Sequence, residues 1–280
     1  MKLLVLLHLA LVGCAAETHA VKGIVLRTDI ASHSIVVSCD AKTGYMDAMQ
    51  MEFTTRDTRI LNLLQPGQAI TFNMVKHGSQ LYAEQITLST TAAFESEPMA
   101  AAQLGALNTA LDPNTKSLGA GEPVPDFTFT DQAGHSIHLN QFQGKVIVLT
   151  FGYSRCPNPN YCYRLSTNLA KIEKRFHGQN LVLITIMIDP EHDQGAALAE
   201  YASVFKADPT NWHFLTGPLV EIKQVCGLFG VNFWSVEGLL THSLHTVIID
   251  RRGNLAVNLE GNQFAPKQLG DLVQSVMDRQ

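Results

Sequence analysis

Between residues 21 and 88 apolar and polar positions alternate in short runs, VKGIVLRTDI, HSIVVSCD, AITFNMVKHG and LYAEQITL, broken by turn residues such as Gln65-Pro66-Gly67. A period of two puts every second side chain on one face of an extended strand, so these runs predict the strands of a small barrel. From about residue 89 to 120 come Thr, Ala, Ser, Glu, Pro and Asn without sustained period, which predicts a linker, with a short helix around Met99 to Leu107. The pattern then changes. Strand-like runs at Lys145 to Tyr153, Asn180 to Asp189, Leu244 to Asp250 and Asn254 to Leu259 alternate with helical spacing. Leu165, Leu169, Ile172 and Phe176 share one helical face, as do Leu198, Tyr201, Ala202 and Phe205. A third face carries Leu269, Leu272, Val273 and Val276, behind a Pro266 suited to a first helical turn. A hairpin, PDFTFTDQAGHSIHLNQF, precedes them all.

Strands followed by crossover helices imply an α/β sheet covered on both faces, and a thioredoxin-like fold fits the length and the order. The expected architecture is an α/β thioredoxin-like C-terminal domain over residues 119–280 and a small all-β, OB-like barrel over 20–90, joined by a linker at 91–118. A chain of 280 residues has room for both cores. Hydrophobic residues at 46% describe a folded chain, and a net charge of −5 with no excess of Lys and Arg excludes nucleic acid as a partner.

The first fourteen residues, MKLLVLLHLALVGC, have one Lys, an apolar run too short to cross a bilayer, and a small residue before Cys14. This is the layout of a cleaved export signal. Leu11-Val12-Gly13-Cys14 also resembles the bacterial lipobox, in which the Cys is acylated and becomes the mature N-terminus. Residues 1–14 are thus expected to be a lipoprotein-type signal peptide, with the chain anchored by lipid at Cys14 on the periplasmic side of a bacterial envelope. An ordinary secretory signal with a chance Cys is the plainer reading.

The chemistry gathers where the first core strand ends, in TFGYSRCPNPNYCYRLSTNLAKI, with Cys156 just past the strand and Cys162 at the mouth of the next helix. Helix N-terminal N–H groups lower a thiol pKa there. Pro157 and Pro159 keep the intervening segment out of regular helix, so the two sulfurs can face one another as a disulfide or as two thiolates. A structural staple of an exported protein remains open at this point.

The stretches GEPVPDFTFTDQAG, KVIVLTFGYSRCP, IMIDPEHD, ADPTNWHFLTG, EIKQVCGLFGV and THSLHTVIIDRRG resemble the SCO/SenC family in order and spacing across nearly all of residues 119–280. The resemblance implies copper, Cu(I) or Cu(II), bound by Cys156, Cys162 and His242. It departs in one respect: the family usually has three residues between the cysteines, and this chain has five, Pro157 to Tyr161. Two soft thiolates and an imidazole suit Cu(I), Zn²⁺ would accept the same donors, and Mg²⁺ and Ca²⁺ would not. Asp189 and Asp193 follow the second core strand where the family also carries acidic residues; Asp189 either hydrogen-bonds a group behind the ligands or caps the next helix. His245 enters the following strand and is expected to point away from His242. The implied function is a copper metallochaperone or thiol-disulfide reductase serving the copper subunit of cytochrome c oxidase or another envelope copper protein. The competing reading is a thioredoxin-like thiol-disulfide oxidoreductase or thiol peroxidase using Cys156, beside Arg155, as nucleophile.

The N-terminal stretch has a second soft cluster, Met46, Met49 and Met51 in GYMDAMQMEF. Thioether sulfur is never protonated and prefers Cu(I) over harder cations. The run CDAKTGYMDAMQMEF followed by TRDTRILNLLQPGQAITFNMV resembles the CusF-like copper-binding barrels, in which a His and an M-x-M pair hold Cu(I) beneath an aromatic ring. The resemblance implies Met49 and Met51 as ligands, with Cys39 at the His position and Met46, beside Tyr45, at the aromatic one. The plainer reading is barrel packing, and a barrel that merely buffers envelope copper is a third function. Cys226 shares a helical face with Ile222 and Phe229, which predicts a buried, inert thiol.

Overall fold

The computed structural model describes residues 18–89, 117–236 and 238–279. The export segment with Cys14 and the short helix expected near Met99 lie outside those residues, as does nearly all of the linker. The first unit consists of β1 (Thr18–Asp29), β2 (Ser34–Cys39), β3 (Met49–Thr54), a one-turn α1 (Thr58–Leu61), β4 (Ala69–His77) and β5 (Gln80–Leu88). The strands close into a barrel in the order β1-β2-β3-β5-β4. All neighbours run antiparallel except β3 and β5, which meet in parallel at Thr54 and Tyr82. Closure leaves no open edge, and the alternation read from the sequence puts Val25, Ile35, Val37, Phe53 and Phe72 inside.

The second unit opens with the hairpin β6 (Thr128–Thr130) and β7 (Ser136–His138), then β8 (Val146–Gly152), a π-helical turn (Pro159–Tyr163) running into α2 (Arg164–Arg175), and β9 (Leu181–Met187). It continues with α3 (Gly195–Val204), β10 (Trp212–Leu215), α4 (Leu219–Leu228) and a second hairpin, β11 (Phe233–Val236) and β12 (Leu239–His242). The chain ends in β13 (His245–Ile249), β14 (Leu255–Glu260) and α5 (Pro266–Met277). The main sheet has the order β10-β9-β8-β13-β14, with β8, β9 and β10 parallel and β13 antiparallel to both its neighbours. Every position of β8 and β9 is buried, as the continuous apolar runs require of central strands covered on both faces. Helices α2, α3 and α5 pack on one face, α4 and the first hairpin on the other.

The barrel is joined to this sheet through a shared core. All six residues of β2 are buried, because its odd positions point into the barrel and Val36 points outward, with Ile24 and Leu26, against Val257, Leu259 and Val276. Polar contacts fix the register. Ser38 Oγ donates to Asp271 Oδ2 at 2.7 Å, and Gln268 Nε2 donates to Asp40 Oδ1 at 2.7 Å and to Ser38 O at 3.3 Å. Asp271, only 5% exposed, also receives Arg175 at 3.0 Å and Lys267 at 2.6 Å. Burial pushes its carboxyl up, but the bonds from Lys267, Ser38 and Arg175 outweigh that and hold it below its usual value. Gly67 lies so close to β14 that a Cβ would sit 2.6 Å from Val257 Cγ1, and its φ of +94° also favours glycine.

The joint makes the two units energetically dependent. Leu26, 1% exposed, belongs to the barrel by sequence and to the sheet core by contact. Leu26→Ala is expected to cost about 2–5 kcal/mol. Both tryptophans, Trp212 and Trp234, lie in the second unit, so their fluorescence during urea unfolding reports that unit alone. The expected result is a lower midpoint at the tryptophans; an unshifted midpoint would show that the units unfold separately.

Candidate metal centre

The segment leaving β8 is pinned residue by residue. Tyr153 is 1% exposed, and its hydroxyl donates to Leu240 O at 2.6 Å. Ser154 donates its N–H at 3.1 Å, and its hydroxyl, to the fully buried Asp193, whose carboxyl is pushed up chiefly by burial. Arg155 donates Nε and Nη2 to Asp189 Oδ2 at 3.1 and 2.7 Å, and His192 Nδ1 lies 3.0 Å from Asp189 Oδ1. Burial raises Asp189, but the bonds from His192 and Arg155 prevail and its carboxyl lies below the usual value. Of the two roles open to Asp189, helix capping is not the one it takes, since Gln194 stands at the start of α3. The acidic loop clamps the approach to Cys156.

Between the cysteines the chain makes a π-helical turn, Pro159–Tyr163, capped by the Asn158 side chain, which accepts the Asn160 N–H at 3.0 Å. A wide turn of this kind takes up extra residues without breaking the helix that follows. The buried Asn262 donates to Asn160 O and ties the loop to the stretch leading into α5. Cys162 is buried inside the turn, and Cys156 is partly buried at its entrance. The four described cysteines are all unbridged.

His242 ends β12 and faces the buried thiol, with Nε2 3.3 Å from Cys162 Sγ. Its Nδ1 lies 2.8 Å from Ser243 O. A carbonyl can only accept, so the proton is on Nδ1 and the Nε2 lone pair is directed at Cys162. Burial pulls the imidazole down to about 4 and keeps it neutral. The thiols are made unequal. The hydrogen bond from Cys162 lowers Cys156 to about 6 against the opposing effect of burial, while the same bond together with burial pushes Cys162 well above its ordinary value. Near neutral pH the set is one thiolate, one thiol and one neutral imidazole. Among the described residues no three His, Cys, Asp or Glu side chains already surround a metal position. Cys156 Sγ lies 3.6 Å from Asn158 O, and Cys162 stands between the other two groups, its thiol toward Cys156 and its Sγ 3.3 Å from His242 Nε2.

The remaining candidates separate. His245 Nδ1 lies 2.9 Å from Asn258 Oδ1 on β14, away from the pair as its alternation predicts. Cys226 is 1% exposed, its thiol pushed up by burial, an inert core residue. In the barrel, β2 and β3 pair Cys39 with Met49 and Val37 with Met51, so the three sulfur side chains share a face at one end. Cys39 is fully buried and its thiol is raised to about 12, chiefly by burial and further by Asp40, whereas Met49 is 46% exposed. Met46 and Met51 pack on the barrel core. Sequence reasoning passed over His19, whose ring lies against Tyr45 in the loop leading to β3 with centroids 3.7 Å apart and planes tilted by 33°, and Tyr153 and Asn262 beside the cysteines. Their partners lie far along the chain.

The unequal thiols make a direct expectation. In reduced, copper-free protein, Cys156 should be alkylated by iodoacetamide with a midpoint near pH 6, and Cys162 should stay unreactive past pH 9. Cys162→Ala should move the Cys156 midpoint up toward 9, because its main stabilising donor is gone. Rate against pH, read by mass spectrometry, checks both; equal reactivity of the two thiols would refute the assignment.

With this geometry in place, comparison with known proteins is specific. Residues 115–278, more than half of the chain, match the family model described as SCO1/SenC. The SCO1 protein homolog of Bacillus subtilis is 28% identical over 96 residues, covering 34% of this chain and 49% of that protein. Protein SCO1, mitochondrial, of Saccharomyces cerevisiae is 27% identical over 169 residues, 56% of each chain. The chain thus spans about half the length of these relatives. A crystal structure of a SCO1/SenC family lipoprotein from Bacillus anthracis shares the thioredoxin-like α/β fold, with a TM-score of 0.51 and 23% identity over 56% of this chain and 96% of that one. The chain belongs to the SCO1/SenC family.

Proposed function

We propose that this protein is an envelope copper metallochaperone with thiol-disulfide reductase capacity, supporting assembly of the copper centre of cytochrome c oxidase, and that Cys156, Cys162 and His242 hold its copper. The observation that carries the reading is the Cys162 to His242 contact at 3.3 Å, with Nδ1 tied to Ser243 O so that Nε2 is the free donor. A thiolate at Cys156, a thiol that can lose its proton and a neutral imidazole form a set suited to Cu(I) and able to serve Cu(II). The metal, as cargo, supplies the one-electron couple. The chain's part is to present the donors, exclude water with buried Cys162 and His242, and hold the approach through Ser154 and Arg155. The recipient is the copper subunit of cytochrome c oxidase or another envelope copper protein, reached from a membrane anchor at an acylated Cys14. The barrel, read as OB-like and CusF-like, holds Cu(I) through Met49, Met51 and Cys39.

The low pKa of Cys156, about 6, also favours a second reading, a thiol-disulfide oxidoreductase or thiol peroxidase. Against the peroxidase stands Arg155, whose guanidinium is engaged by Asp189 at 2.7 Å.

Reduced protein should bind copper at this centre, and the Cys156→Ser, Cys162→Ser double variant should lose it, as measured by metal analysis after desalting. His242→Ala should weaken binding and leave the fold intact. Undiminished retention by the double-serine variant at the stoichiometry of the wild type would sink the ligand assignment. In that same double-serine background the remaining Cu(I) reports the barrel. Met49→Leu with Met51→Leu should then lower Cu(I) affinity in a competition titration, while costing less than about 1.5 kcal/mol of stability. Equal affinities would mean that the methionines only pack.

A further inference from the structure

The two halves of the centre come from separate parts of the fold. The cysteines follow β8 of the main sheet, whereas His242 ends a hairpin, β11–β12, that forms a two-stranded sheet of its own. Among the described residues no strand ladder joins β11 or β12 to the main sheet, and the nearest rung to β8 is Thr246 with Thr150, four residues past His242. One side chain reaches across. The main-chain carbonyl of Tyr153 accepts the Cys156 N–H at 3.3 Å, and its hydroxyl donates to Leu240 O at 2.6 Å, two residues before His242. The same ring meets the His242 ring nearly edge-on, with centroids 6.0 Å apart and planes at 74°.

The hydroxyl is not needed for packing. A phenylalanine would fill the same space, and a hydroxyl buried with a 1% exposed ring costs free energy unless it is bonded. It donates at 2.6 Å to a carbonyl of the strand that carries His242, and the same hydroxyl lies beside the Cys156 thiol. We propose that Tyr153 is a positioning residue, whose hydroxyl holds β12 at the height that brings His242 Nε2 onto Cys162 and so joins two thiols and an imidazole into one site. This rests on the reading of those three residues as copper ligands. Groups that orient a ligand without touching the metal commonly govern affinity by about 10–100-fold. The loss should depend on the oxidation state: two thiolates carry most of a Cu(I) site, while Cu(II) draws more on the imidazole.

The test is Tyr153→Phe in the reduced full-length chain, with circular dichroism and thermal unfolding to establish that the fold is retained. Without metal, hydrogen exchange across residues 239–244 should quicken several-fold, with the main sheet unchanged. With copper salts as probe, Cu(II) affinity should fall about ten-fold or more and Cu(I) affinity by less. In a His242→Ala background the same substitution should change Cu(II) affinity by less than about two-fold, since a positioning effect has nothing left to position. Unchanged exchange at 239–244 in copper-free Tyr153→Phe would overturn the proposal, as would an undiminished Cu(II) loss in the His242→Ala background. Failure of the wild type to bind copper would instead refute the ligand reading, and the metal-free exchange result would still decide whether Tyr153 holds the hairpin.

Discussion

The candidate centre depends on a hydrogen bond that never touches a sulfur, from His242 Nδ1 to the carbonyl of its own neighbour Ser243, at 2.8 Å. It determines which nitrogen carries the proton, and burial that lowers the imidazole to about 4 ensures that the other nitrogen stays unprotonated. If Nδ1 were free, the ring could rotate or exchange tautomers and Nε2 could present a proton instead of a lone pair. A soft metal needs the lone pair. The hairpin, the Tyr153 hydroxyl and the buried approach of Cys162 matter because each keeps that lone pair directed at one sulfur.

The thiols show the same economy. Two identical side chains acquire different acidities because one is the donor and the other the acceptor of a single hydrogen bond, and because Cys162 is more deeply buried. The partly buried partner becomes the thiolate and the enclosed one keeps its proton. Such a pair has a more accessible entry point and an enclosed second group, the division of labour that both the chaperone and the reductase chemistry proposed above would use. Asp189 and Asp193 take part by restraint: they occupy Arg155 and Ser154, holding steady the short segment that carries Cys156.

The barrel is held by the residues on both sides of Cys39. Ser38 and Asp40 are bonded by Gln268 and Asp271 of α5, and Asn262, a few residues earlier, is bonded to the loop between Cys156 and Cys162. One stretch of chain, from the end of β14 into α5, therefore bonds to the residues on both sides of Cys39 and to the loop between Cys156 and Cys162. With Ile24, Leu26 and Val36 set into the sheet's core, the barrel is packed as a further layer of the second unit.

Much of this was legible from residue order. Periodicity located β8, β9, β13 and β14 and the helices behind them, because burial on a repeating face leaves a repeating pattern. The cysteine motif stood out by its chemistry and its place after β8, whereas His242 was implied only by the SCO/SenC resemblance, a family that the chain matches over residues 115–278. What the sequence left open has a common cause. Strand β10 and the β11–β12 hairpin are four residues per strand, too short to show a period. The role of Asp189 depended on whether Arg155, 34 positions away, would be in reach. Tyr153 reads as one more buried aromatic until Leu240, 87 positions on, supplies a carbonyl. Local composition determines which faces are buried and which side chains can bind a soft metal. Only the folded chain decides which hydroxyl meets which carbonyl, since a hydrogen bond between distant residues is specified by the packing of everything between them.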